Sequence, residues 1–84
     1  MKKLLFLIPI FALASTCYYN EGLYAYLAKD YKKAEKYFKL ACEVNKNPWG
    51  CFSYAELVKD KNIKEKYLKK ACKLGLKVAC KATF

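Results

Sequence analysis

Histidine and arginine are both missing from this 84-residue chain. Without histidine, and with no Cys-x-x-Cys pair among its cysteines, it lacks the usual ligand set for a metal site, and neither a metal nor a cofactor is expected. Without arginine it lacks the side chain best suited to bidentate reading of bases and phosphates, so nucleic acid is not an expected partner. Long apolar runs are missing too. The longest such stretch, residues 4–13, is about ten residues and is broken by Pro9, where a membrane-spanning helix needs about twenty.

That short run has a different reading. Lys2 and Lys3 precede it as a positive n-region, and Ala12-Leu13-Ala14 closes it with the small-x-small pattern of a signal-peptidase site. Residues 1–14 are therefore expected to be a signal peptide. Residues 15–84 then form the exported chain, periplasmic or secreted. It carries fifteen lysines against seven acidic residues, a formal charge of +8. The lysines read as a solvated surface rather than as an anion or membrane site.

A chain of this size buries little apolar area, and such exported domains are commonly held by disulfides. Cys42 and Cys51 have eight residues between them, Cys72 and Cys80 seven. Four cysteines allow three connectivities, and the matched local spacing favours the two local pairs. Cys17 is left over. One reading is a lipidated lipoprotein cysteine, but Ala14-Ser15-Thr16 before it departs from a lipobox, which wants leucine three positions back and glycine or alanine immediately before. The other is an unpaired thiol near the terminus.

The chain repeats itself. At an offset of thirty, Tyr24-Ala25 falls on Tyr54-Ala55, Leu27 on Leu57, and Lys29-Asp30 on Lys59-Asp60. Glu35-Lys36-Tyr37 falls on Glu65-Lys66-Tyr67, Lys39 on Lys69, and Ala41-Cys42 on Ala71-Cys72. The eleven identities between 18–47 and 48–77 exceed the roughly two expected by chance, so the chain is two copies of one unit plus a tail, 78–84.

Each copy reads as two helices. Leu23, Leu27 and the nearby tyrosines carry helical spacing to Ala28. Asp30 can cap a second helix whose Ala34, Tyr37, Phe38, Ala41 and Val44 recur at three- and four-residue intervals. Asn47 and Pro48 open a third helix through Phe52, Ala55 and Val58. Asn62 with Glu65 resembles a capping box for a fourth, whose apolar face is Ile63, Tyr67, Leu68, Ala71 and Leu74. Gly75 marks its left-handed end, Leu76 supplies the accompanying contact, and 78–83 would form a short closing helix. Short linkers make neighbouring helices antiparallel. The expected fold is all-α: two antiparallel helical hairpins with a capping helix. Ala34, Ala41, Ala55 and Ala71 are expected at close helix contacts, with Lys64, in place of Ala34, at the surface.

Gly22, Tyr31, Ala34, Phe38, Ala41 and Pro48 fall close to the tetratricopeptide pattern. The run from Tyr37 to Cys42 with Gly50-Cys51, and the closing KKACKLGLKVAC, resemble the Sel1-like repeats of the Helicobacter cysteine-rich protein family. The resemblance implies an α-solenoid fragment with each helix pair tied by one disulfide, Cys42–Cys51 and Cys72–Cys80. The first pair is one residue wider than that family's usual spacing, and two hairpins are fewer than its members typically carry. The implied function is a protein or peptide interaction module, with Tyr18, Tyr19, Tyr24, Tyr26 and Tyr54 as candidate surface and Tyr37 and Tyr67 as core. Membrane contact is expected only if Cys17 is lipidated.

Members of that family are also described as penicillin-binding and as weak β-lactamases, which makes β-lactam binding or hydrolysis the alternative function. The residues for it are absent. Ser53 is followed three positions later by Glu56 and Ser15 by Tyr18, not by lysine, and Lys81-Ala82-Thr83 is not a Lys-Thr-Gly element. No catalytic residue is assigned.

Overall fold

A computed structural model describes residues 17–82, which form α1 (Tyr18–Leu27), α2 (Tyr31–Glu43), α3 (Pro48–Leu57), α4 (Lys61–Lys73) and α5 (Lys77–Ala82), with no strand among the described residues. Residues 1–16, which hold the expected signal peptide and its cleavage site, lie outside them, as does Thr83. Helices α1 and α2 form one antiparallel hairpin, α3 and α4 the second, and α5 closes the stack. Each helix packs mainly on its neighbours in sequence.

The helix starts follow from local chemistry. The Asp30 carboxylate accepts from the Lys33 amide at 3.2 Å, and Asn47 accepts from the Trp49 amide at 2.9 Å with Pro48 in the first turn. At α4 the structure corrects the expected Asn62 cap. Asp60 is the N-cap, accepting from the amides of Asn62 and Ile63 at 2.8 and 3.1 Å, and Asn62 is already inside the helix. A carboxylate taking two amide protons at the positive end of a helix wins over an amide side chain two residues later. Asp60 is also the repeat equivalent of Asp30.

Gly75 has φ of 108°, and the Gly75 and Leu76 amides donate to the carbonyls of Cys72 and Ala71. This is the Schellman ending expected at that glycine. The same bonds end α1, with Lys29 at φ 65° in the left-handed position. At the end of α2 the left-handed residue is Lys46, and the Asn47 amide reaches back six residues to Ala41 where Leu76 reaches back five. The extra residue of the first cysteine pair is absorbed there. Both disulfides therefore close over nearly equal Cα separations, 4.6 Å for Cys42–Cys51 and 4.7 Å for Cys72–Cys80.

Ala34, Ala41, Ala55 and Ala71 are fully buried, as their spacing implies, and Phe38, Leu68 and Tyr67 fill the space between them. Lys64 is only partly exposed. Val44, Ile63 and Leu74, expected on apolar faces, lie exposed at the margins. The larger departure is in α1. Its buried residues are Gly22 and Ala25, while Leu23 and Leu27 turn outward. Gly22 is pressed on the Phe38 ring, where an added β-carbon would stand 2.6 Å from ring carbons. The hairpin seam takes the small face of α1 because that face alone lets the backbone come so near.

Candidate interaction groove between α1 and α3

Turning Leu23 outward on α1 leaves an open groove between the first helices of the two hairpins. Leu23 and Tyr26 of α1 form one wall, Phe52, Ser53, Glu56 and Leu57 of α3 the other, and Phe38 lies at its floor, enclosing about 340 Å³. A second hollow of about 480 Å³ continues it toward the α1–α2 turn, lined by Tyr26, Tyr31, Lys32, Glu35, Leu57 and Lys59. Tyr26 and Leu57 belong to both, so the two are one trough. The Tyr26 and Tyr31 rings meet edge to face with centroids 5.4 Å apart, which holds both in place. The first hollow is mainly apolar, with Ser53 and Glu56 among its lining, and the second adds the charged Lys32, Glu35 and Lys59 to Tyr26, Tyr31 and Leu57. This pattern suits a chain segment with alternating apolar and polar groups. Ser53 has no lysine among its companions in the first hollow.

The tyrosines grouped as a candidate surface do not gather on one face. Tyr26 lines the trough. Tyr18 stacks on Tyr37 at 6.1 Å, and its amide donates to Asn45, while Tyr19 is half-buried against Phe38 at 5.6 Å. Tyr24 is 70% exposed, beside a separate hollow near Ala28 and Lys33. Tyr54 is a correction: it is buried in the core, edge-on to Tyr67 at 4.7 Å. Helix α3 is packed on both sides, by α2 and by α4, so the face that α1 exposes at Tyr24 is covered at Tyr54. Leu23, Tyr31, Phe52 and Leu57 were not singled out as surface residues. Their apolar spacing is that of core residues, and only the position of each helix in the stack distinguishes the two roles.

The second site of interest is a polar contact joining the hairpins. The Tyr67 hydroxyl donates to Glu43 Oε2 at 2.5 Å, and Lys70 Nζ contacts Oε1 at 2.7 Å. The Lys70 bond, then the Tyr67 bond, hold the Glu43 carboxyl below its ordinary pKa, against a smaller opposing effect of burial. Burial first, and the Glu43 bond second, push the Tyr67 phenol well above its ordinary range. Tyr54 is raised as well, mainly by burial. Tyr67, expected in the core, is there, with its hydroxyl donating to the Glu43 carboxylate.

Both disulfides are formed, and Cys17 is an exposed free thiol at the N-cap of α1. Paired cysteines of this kind belong to an oxidising compartment. No helix among the described residues is long and apolar enough to cross a membrane. Comparison with protein-family models, with curated proteins and with solved structures found no match to this chain.

Proposed function

We propose that this chain is an exported Sel1- or tetratricopeptide-type repeat module, periplasmic or secreted, that binds a segment of another protein along the α1–α3 trough. The observation that carries this reading is the trough itself: Leu23, Tyr26, Phe52 and Leu57 leave apolar surface open between α3, stapled to α2 by Cys42–Cys51, and α1, packed on α2 through Gly22 and Ala25. Pre-formed apolar troughs with polar groups in their lining are where extended or helical segments dock, because little conformational freedom is lost on the receiving side. The signal-peptide pattern of residues 1–14 and the disulfides support export.

The test is site-specific photocrosslinking. A photoreactive phenylalanine at position 26 should yield a discrete adduct in envelope extract, and the adduct should vanish when Leu57→Asp is added. The same probe at position 73, outside the trough, should yield none. Equal labelling from both positions would overturn the assignment.

A further inference from the structure

Fifteen lysines are spread along the exported sequence, yet the fold collects six of them on one face. At about 100° per residue, Lys36 and Lys39 project from α2 opposite its buried Ala34, Phe38 and Ala41. Lys66, Lys69, Lys70 and Lys73 likewise project from the side of α4 away from Leu68 and Ala71. The two faces adjoin, because Glu43 at the end of α2 is bonded to both Tyr67 and Lys70 of α4, and Lys39 Nζ lies 5.9 Å over the Tyr54 ring that packs on Tyr67. Against the six lysines stand Glu43 at the seam and Glu35 and Glu65, one turn before Lys39 and Lys69, which leaves a local excess of +3. None of the six lines the trough or the hollow beside Tyr24.

We propose that this α2–α4 face is a docking surface for an anionic lipid bilayer, which would hold the trough turned away from the membrane. Three observations select that occupant. The face is built of two neighbouring helices of 13 residues each, about 20 Å long, and none of the described hollows opens onto it, so it fits an extended surface rather than a discrete anion. Its cations are lysines only, flexible point charges suited to diffuse headgroup charge, where a defined phosphate or carboxylate site favours arginine forks. Its lysines are also placed by rings: Lys36 lies over Tyr37, and Lys66 and Lys70 over Tyr67, at 5.6 to 5.8 Å, with Lys70 held at the seam by Glu43. Binding is electrostatic, without an inserted chain, and is therefore screened by salt over a distance of about 10 Å. The proposal does not depend on the trough having a partner.

Cosedimentation of the oxidised protein with vesicles tests it. With roughly 30% phosphatidylglycerol in phosphatidylcholine, the protein should pellet at about 20 mM salt and be released at about 500 mM, and it should ignore pure phosphatidylcholine. The triple variant Lys36→Glu, Lys66→Glu, Lys73→Glu spares the Glu43–Lys70 and Lys39–Tyr54 contacts and should bind at least about tenfold more weakly. A control triple of equal net charge, Lys29→Glu, Lys61→Glu, Lys81→Glu, should stay within about threefold of wild type. Glutamine at the same face positions gives a milder loss and serves if the reversed variant does not fold by circular dichroism. Equal losses in the two triples would reduce the effect to net charge and sink the proposal. So would a wild type that ignores anionic vesicles, retention at high salt, or tighter binding to soluble polyglutamate than to the vesicles, which would point to an acidic protein instead.

Discussion

Gly50 and Ala41 meet so closely that a β-carbon built on Gly50 would stand 2.6 Å from that of Ala41 and 3.0 Å from the Cys42 backbone nitrogen. This contact brings the start of α3 against the end of α2, where Cys42 and Cys51 are joined. It makes the seam between hairpins as tight as the seams within them.

Gly50→Ala should therefore destabilise the protein, although alanine favours helix over glycine by about 1 kcal/mol. Overpacking typically costs about 1–3 kcal/mol, and here part of the obstruction is backbone, which cannot rotate away. Ala41→Leu and Ala71→Leu, at fully buried positions, should show the same penalty, while Lys73→Leu on the exposed face should change stability by no more than about 0.5 kcal/mol. Thermal melts of the four oxidised variants decide it. Sensitivity at position 73 with tolerance at 41 and 71 would reverse the faces assigned to α2 and α4.

The two disulfides should differ in worth. Each closes a loop short enough for the chain-entropy model to give about 2–3 kcal/mol. Cys42 and Cys51 are also fully buried, whereas Cys72 and Cys80 are partly exposed. Replacing both members of the first pair with serine should lower the denaturation midpoint more than the same change at the second pair, because it leaves hydroxyls in the core as well as loosening the unfolded chain. Equal losses would mean that loop closure alone matters.

Glu43 and Tyr67 bracket a window of stability in pH. The folded Glu43 carboxyl titrates below its ordinary 4.5, so its contribution is complete above that value and is lost as pH falls through the lower, folded value. The folded Tyr67 phenol titrates above its ordinary 10.0, so its contribution is complete below that value and fades as pH rises past it. Melting temperature should fall at both extremes, with Glu43→Gln flattening the acid limb and Tyr67→Phe the alkaline limb. An acid limb unchanged by Glu43→Gln would show that other carboxylates carry it.

Hydrolysis of a β-lactam is the remaining chemical question, because Ser53 lies in the trough beside Glu56. The lysines of the trough, Lys32 and Lys59, line its second hollow and not the one that holds Ser53, so the hydroxyl has no activating base of the Ser-x-x-Lys kind. Purified protein should turn over nitrocefin no faster than its Ser53→Ala variant. A rate well above background that disappears in the variant would establish a hydrolase.

The sequence determined by itself whatever depends on neighbours along the chain. Periodicity and the thirty-residue repeat specify helices and their hairpins, Asp30, Asn47 and Gly75 set helix ends, and matched cysteine spacing points to local pairing. Asp60 was readable from its match to Asp30 and was obscured by the capping-box pattern at Asn62. Tertiary structure alone decided which copies of a repeated residue are surface and which are core. Tyr24 and Tyr54 are the same residue at the same repeat position, yet the first is 70% exposed and the second is 9% exposed. Helical spacing defines a face but not what covers it. That depends on place in the stack: α3 has a hairpin partner on one side and the preceding hairpin on the other, while α1 packs mainly on α2. The trough and the lysine face arise in the same way, from residues far apart in sequence that only the stacking of hairpins brings side by side.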